Sequence, residues 1–385
     1  MEKQQIFTTT RRVVLGNGSI HSIKGELDRL EVSSVLIVTD PGLVAAGIVD
    51  ILEKILAKDQ ITFARFDQVE ADPPMEQAAQ VVEKFKASGA QAIIGIGGGS
   101  SLDIAKIVSV MVTNNMPVTE MFGSELVKKP GVPLILIPTT AGTGSEVTPI
   151  VILSDNKEKL KKGVVSSYLY PACALLDPEL TLGLPPAITA ATGMDALIHA
   201  LEAYTSVNAT PISDTLAIEA IRTIYGSIRT AFSNGQNIEA RSAMLRGSML
   251  AGMAFANAGV TAVHAFAYPI GSEFHIPHGI ANTIMLIPVM QFNCIGNLDR
   301  FARLPEFMGS NTQGMSKRKA ADVAVQALIE LAEDLRVPRH LRDFGVREEH
   351  IPELAEGVLK VTRLLANNPR RLELEDAKAI YRAAL

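Results

Sequence analysis

Cysteine is almost absent from the 385-residue chain: Cys173 and Cys294 are the whole supply, and neither belongs to a C-x-x-C pair. At most one disulfide is possible, which excludes a heavily bridged secretory scaffold as well as a paired-thiolate zinc or redox motif. A reducing, cytoplasmic setting is expected. Excess positive charge is missing too. With 36 Lys and Arg against 41 Asp and Glu, the net charge is −5, whereas a nucleic-acid partner calls for a basic stripe that displaces counterions. The short basic runs Lys128-Lys129 and Lys159-Leu160-Lys161-Lys162 are read as solvated turns. No uninterrupted apolar run reaches the roughly 18 residues of a membrane span, and Met1-Glu2-Lys3-Gln4-Gln5 contains no apolar leader core. Neither membrane insertion nor secretion is expected. Internal repeats and low-complexity segments are also lacking.

Apolar residues, by contrast, are plentiful at 47%, with 20% charged, enough to fill sizeable cores. The length suits two domains and a cleft between them. The first part alternates short β-branched runs with helical stretches. Ser34 to Thr39, Ala92 to Ile96, Pro133 to Ile137 and Ala174 to Leu176 are nearly continuous in apolar residues, as parallel strands covered on both faces require. After Leu184-Pro185-Pro186 the pattern becomes helical throughout, over Ala187 to Ser206, Ser213 to Phe232 and Ala240 to Ala258. The expected organisation is therefore an α/β dinucleotide-binding domain over 1–184 and an all-helical metal-binding and substrate domain over 185–385.

Two loops at strand ends carry the nucleotide chemistry. In Ile93-Ile94-Gly95-Ile96-Gly97-Gly98-Gly99-Ser100-Ser101-Leu102-Asp103 a buried strand runs into glycines and then a helix. Gly97, Gly98 and Gly99 allow backbone amides to approach a phosphate, Ser100 adds a hydroxyl, and the positive end of the helix dipole faces the anion. The second loop, Pro138 to Glu146, crowds the hydroxyls of Thr139, Thr140, Thr143 and Ser145 among small residues, suited to phosphate, ribose or nicotinamide. Asp40 closes an earlier strand, where a carboxylate accepts hydrogen bonds from an adenosine ribose and repels a 2′-phosphate, favouring NAD over NADP. The order is reversed from the usual fingerprint, in which the acid follows the glycines.

The second half carries a metal-ligand pattern. Asp195 and His199 stand at i and i+4 in a helical stretch, so both side chains leave one face. His264 lies in an almost wholly apolar neighbourhood, and His278 precedes a helical run. One carboxylate and three imidazoles make a mixed O/N set for a borderline divalent ion with room for a substrate oxygen. Such ligands suit both ferrous iron and zinc. His21, His275, His340 and His350 have no comparable setting and are read as structural or surface residues.

In these residues the chain resembles the iron-containing, group III alcohol dehydrogenases over nearly its full length. The matching stretches are Asp40 with Pro41-Gly42, GGGSSLDIAK from Gly97 to Lys106, PTTAGTGSE from Pro138 to Glu146, DPELTLGLPP from Asp177 to Pro186, and ATGMDALIHALEAY from Ala191 to Tyr204. The resemblance implies an N-terminal dinucleotide-binding domain, a helical C-terminal domain, a deep cleft holding NAD(P) and the metal, and homodimers or larger assemblies. It makes Asp195, His199, His264 and His278 the metal ligands, the last two 14 residues apart. Gly98, Gly99, Ser100, Thr139, Thr140, Thr143 and Lys161 fall where members contact the dinucleotide; Gly97 and Asp103 belong to the same loop and helix start. Many members carry a His four residues after the third ligand, where this chain has Tyr268. That makes Tyr268 the candidate catalytic side chain, either relaying a proton or shaping the pocket. A phenol with a pKa near about 10 is a slow base at neutral pH, which favours the pocket role.

The expected reaction is hydride transfer between NAD and a small primary alcohol or aldehyde, with a metal polarising the oxygen. Phe266, Tyr268, Phe274 and Ile276 are expected on the pocket side. A sugar-phosphate cyclase resembling dehydroquinate synthase shares this architecture, but it calls for extra Lys and Arg near the ligands, and these segments hold almost none. A metal-free maleylacetate-type reductase does not need the four ligands. Neither does a non-catalytic NAD-binding sensor.

Overall fold

A computed structural model describes residues 4–156 and 160–385 of the chain. Two compact units emerge, Thr9–Leu184 and Pro185–Leu385, the latter also taking residues 4–8. Thr8 is tied to the helical unit by exchanging hydrogen bonds with the Asn257 amide at 2.8 and 3.0 Å.

The Thr9–Leu184 unit contains strands β1 (Val13–Leu15), β2 (Ser34–Val38), β3 (Thr62–Phe66), β4 (Ala92–Gly97), β5 (Gly123–Ser124), β6 (Leu134–Pro138), β7 (Ile150–Asp155), β8 (Leu160–Val165) and β9 (Cys173–Leu176). Its helices are α1 (Ile23–Arg29), α2 (Pro41–Ala45), α3 (Ile48–Lys58), α4 (Met75–Ser88) and α5 (Gly99–Asn114). Six strands form one parallel sheet in the order β1-β9-β6-β4-β2-β3. Alternate residues serve opposite faces, as the strand period of two requires. Leu36, Val38, Ile93, Leu134 and Leu136 enter one buried cluster, while Val35, Ile37, Ile94, Ile96, Ile135 and Ile137 enter another. Each fully buried aliphatic side chain contributes about 1.5–3 kcal/mol, and double coverage is why these strands read as unbroken apolar runs.

The second sheet, β5-β8-β7, corrects one sequence expectation. Leu160, Lys161 and Lys162 belong to β8, which pairs antiparallel with β7 from Ile150↔Val165 to Asp155↔Leu160. Their charges are matched locally: Lys161 Nζ lies 2.6 Å from Asp72 Oδ1 and Lys162 Nζ 2.8 Å from Asp155 Oδ2. Lys159 lies outside the described residues. Lys128 and Lys129 are exposed in an irregular stretch with a bend at Lys129, their backbone N–H groups donating to Asn114 Oδ1.

The helical unit comprises α6 (Pro186–Thr205), α7 (Pro211–Ser233), α8 (Ile238–Ala258), α9 (Ala262–Phe274), α10 (His278–Asn293), α11 (Leu298–Phe301), α12 (Leu304–Phe307), α13 (Lys317–Asp334), α14 (Ile351–Leu359), α15 (Thr362–Leu365) and α16 (Leu374–Ala384). Proline at the first turn starts both α6 and α7, where its missing N–H is not needed. Thr210 accepts the Ser213 N–H, and Asn237 accepts the Ala240 N–H, capping α7 and α8. Close packing onto α6 depends on Gly193, where a Cβ would stand 2.7 Å from Ile228 Cδ1. The stretch His278–Gly296 is long and apolar enough to cross a membrane, but most of it is buried inside the protein.

Candidate metal centre and dinucleotide loops

Three helices build the centre of the helical unit. Asp195, His199 and Glu202 occupy i, i+4 and i+7 of α6, so one buried face carries all three. His264 lies in the first turn of α9 and His278 opens α10. Ligand atoms of Asp195, His199 and His264 all fall within 4.8 Å of one another, and all three residues are buried. His264 Nε2 lies 3.7 Å from Asp195 Oδ1, His278 Nε2 3.8 Å from the same oxygen, and His199 Nδ1 4.0 Å from Asp195 Oδ2. His278 joins from the rim, with 30% of its side chain exposed. Three of the four ligand candidates predicted from sequence, Asp195, His199 and His264, therefore share one cluster, and His278 stands beside it next to Asp195.

These residues fit a divalent cation on structural grounds. His264 Nε2 is buried and, among the described residues, has no hydrogen-bond partner, while its Nδ1 pairs with Glu202 Oε2. A buried imidazole lone pair beside a carboxylate is a costly arrangement unless something positive completes it. Burial pushes the Asp195 carboxyl up, but the charges of His199, His278 and His264, with the Asn282 hydrogen bond, outweigh it and hold the group below its ordinary value. Glu202 is likewise held low despite burial, through the charge and hydrogen bond of His264 and donors from Thr261 and Val263. For His264 burial works against the imidazolium, yet Glu202 and Asp195 raise its pKa above the usual range.

Sequence reasoning missed two participants. Glu202 was visible as the i+7 member of the Asp195/His199 stripe. Asn282 sits at i+4 from His278, and its Nδ2 donates to Asp195 Oδ1 at 2.8 Å and lies 3.1 Å from His278 Nε2. The residues expected on the pocket side fall in different surroundings. Phe266 is fully buried against Tyr381, Ile276 is buried, and Phe274 packs on His350. Phe255 stacks on His199 with ring centres 4.3 Å apart. Tyr268 does approach the cluster, its ring centre 6.3 Å from that of His278.

In the α/β unit the expected loops share the C-terminal ends of adjacent strands. Gly97 has φ 154°, and a Cβ there would meet Ser101 Cβ at 2.6 Å; one at Gly99 would meet Thr143 Cγ2 at 2.7 Å. Only glycine permits this approach of the two loops. Thr139 N–H donates to the Gly97 carbonyl at 3.0 Å, and Thr140 borders Gly98. Asp40 sits beside the turn, because β2 neighbours β4 in the sheet. Its Oδ1 caps α2 through Leu43 N–H, and its Oδ2 accepts the Ser101 hydroxyl at 3.3 Å. Ser100 Oγ accepts the Asp72 N–H at 3.3 Å, while Asp72 binds Lys161. Ser100 and Lys161 thereby share one corner.

Asp103, also expected near the cofactor, has both carboxylate oxygens occupied by neighbouring protein groups. Its Oδ1 takes the Ser145 hydroxyl at 2.6 Å and its Oδ2 the Ile152 N–H at 2.9 Å. Both oxygens are engaged in bracing α5 against β7 and the second loop. Buried Lys106 completes the brace, donating to the Ser145 carbonyl at 2.9 Å and the Ile150 carbonyl at 2.6 Å.

Comparison with known proteins places this geometry in context. The model of the iron-containing alcohol dehydrogenases matches residues 10–178, and that of the C-terminal region of the Fe-containing alcohol dehydrogenase family matches 189–385. The chain is 40% identical over 378 residues to a sulfoacetaldehyde reductase of Bilophila wadsworthia, covering 97% of each chain. It is 41% identical to long-chain-alcohol dehydrogenase 1 of Geobacillus thermodenitrificans, covering 96% of this chain and 94% of that one. A crystal structure of a 1,3-propanediol oxidoreductase superposes with a TM-score of 0.97 at 37% identity, over 100% of both chains.

Proposed function

The chain belongs to the iron-containing alcohol dehydrogenase family, NAD-linked oxidoreductases of alcohols and aldehydes, and from that premise we propose how its own residues divide the work. Asp195, His199, His264 and His278 hold one divalent ion, ferrous iron or zinc. The observation that carries this reading is the buried Nε2 of His264, which lies 3.7 Å from Asp195 Oδ1 and has no hydrogen-bond partner among the described residues. Such an ion supplies Lewis acidity to a hydroxyl or carbonyl oxygen, easing hydride transfer to or from the adjoining carbon. Asn282 steadies Asp195, Phe255 keeps water from one face of the His199 ring, and Tyr268 shapes the substrate side of His278.

For the dinucleotide, Gly97, Gly98, Gly99 and Ser100 offer the phosphate cradle, and Thr139, Thr140, Thr143 and Lys161 line the neighbouring loop and strand. Asp40 favours NAD by setting its carboxylate where a 2′-phosphate is repelled. Asp103 and Lys106 hold the loops in place. The substrate is a small primary alcohol or aldehyde, a reading supported by the scarcity of Lys and Arg in the segments bearing the ligands and by the relatives named as a sulfoacetaldehyde reductase and a 1,3-propanediol oxidoreductase. Those activities are oxidoreductions, so the cyclase and sensor readings are not favoured. A reducing, cytoplasmic setting accords with the two free, buried cysteines, and a homodimer or larger homo-oligomer accords with the resemblance. The test is absorbance of reduced nicotinamide with a panel of C2 to C6 alcohols and aldehydes, with and without chelator. Turnover on none of them, or full turnover in chelator, overturns the reading.

A further inference from the structure

Glu202 is a buried carboxylate that uses both oxygens. Oε1 accepts the Thr261 N–H at 3.0 Å, the Val263 N–H at 2.8 Å and the Thr261 hydroxyl, while Oε2 pairs with His264 Nδ1. Thr261 precedes α9 and has no side-chain capping bond of its own. Glu202 therefore caps α9 from another helix, satisfying N–H groups that a helix start otherwise leaves unpaired. The same residue also grips the ring that follows in that first turn. Because α6 carries Asp195, His199 and Glu202 on one face, holding α9 through Glu202 also sets His264 relative to the other two.

We propose that Glu202 is the positioning residue of this centre, fixing His264 with its proton on Nδ1 and presenting Nε2 to the divalent ion. A carboxylate on the distal ring nitrogen fixes the tautomer, orients the ring and strengthens its donor atom. This inference rests on the metal reading given above. The substitution Glu202→Gln isolates it, since an amide offers one acceptor oxygen where the site uses two. If that oxygen keeps the α9 cap, an NH2 faces His264 Nδ1 and favours the tautomer with a proton on Nε2, where the ion must bind. If it serves His264, the cap is lost.

The test is zinc affinity of the full chain by chelator competition, for wild type, Glu202→Gln, His264→Ala and the double variant. Glu202→Gln is expected to weaken zinc binding by about 10- to 100-fold, with no further loss when His264 is already alanine. Wild-type affinity in Glu202→Gln, or an undiminished loss in the His264→Ala background, overturns the inference. Failure of wild type to bind zinc overturns the metal reading itself, a separate outcome. Should Glu202→Gln not fold, ring nitrogen NMR of the zinc-loaded wild type decides. A protected proton on His264 Nδ1 and zinc on Nε2 are expected, and the reverse assignment refutes the role of Glu202.

Discussion

Asp40 accepts the Ser101 hydroxyl at 3.3 Å across 61 residues of sequence. This contact sets a carboxylate beside the Gly97 turn, with Asp40 Oδ2 only 3.4 Å from where a Gly97 Cβ would stand. In the usual dinucleotide fingerprint the acid follows the glycines, whereas here it precedes them. Strand order reconciles the two, because β2 lies directly beside β4. The same carboxylate caps α2, so the recognition role proposed for Asp40 falls on a group that already has a structural one.

Cofactor preference follows from that position. The wild type is expected to favour NAD over NADP, and Asp40→Asn to narrow the preference, since the amide keeps the α2 cap but removes the negative charge facing a 2′-phosphate. Ratios of kcat/KM for the two cofactors measure it. Equal use of both by the wild type would leave Asp40 with the cap alone.

Metal content is the second expectation. Purified protein should hold about one divalent ion per chain, by the four-ligand geometry. Chelation should abolish turnover while circular dichroism of the helices is retained. Elemental analysis, performed alongside the activity assay, checks both halves; a metal-free and fully active preparation contradicts the assignment.

Tyr268 separates two roles by its kinetics. As a residue shaping the pocket, Tyr268→Phe is expected to shift KM and the ranking of substrates while kcat falls less than about tenfold, as for lost uniform binding. A proton relay instead predicts a loss of about 10² to 10⁴ in kcat. A basic limb in the wild-type pH profile that disappears in Tyr268→Phe would assign the relay.

Stability should carry a pH signature of the α/β unit. Burial pushes the Glu146 carboxyl up to about 7, against the opposing backbone hydrogen bond and Lys106 charge. The folded chain then binds more protons than the unfolded one between the ordinary carboxylate value and that pH, so stability falls as pH rises through this window. The loss is on the order of 3 kcal/mol at about 1.4 kcal/mol per pH unit. Glu146→Gln, which mimics the protonated form, should flatten the decline. Urea midpoints of both proteins between pH 4.5 and 7 provide the comparison, and parallel slopes would exclude Glu146 as the source.

The sequence by itself determined what depends on local spacing. Four doubly covered strands showed as apolar runs, Asp195 and His199 showed as one helical face, and the glycines of the 97–99 turn announced a close backbone approach. Edge strands such as β3, with Arg65 paired to Glu53 and Asp67, carry polar residues and lack that signal. The β7/β8 hairpin was hidden for a similar reason, since Lys161 and Lys162 look solvated until Asp72 and Asp155 are brought to them. Tertiary structure alone decided that Asp40 stands beside Gly97, that Asp103 spends both oxygens on Ser145 and Ile152, and that Phe255 covers His199. It also decided that Glu202 reaches His264. Each of these relations joins residues distant in sequence, and no periodicity along the chain encodes which strand neighbours which or which helix start meets which side chain. That is settled when the apolar faces are buried together and every polar group carried inside must find a partner.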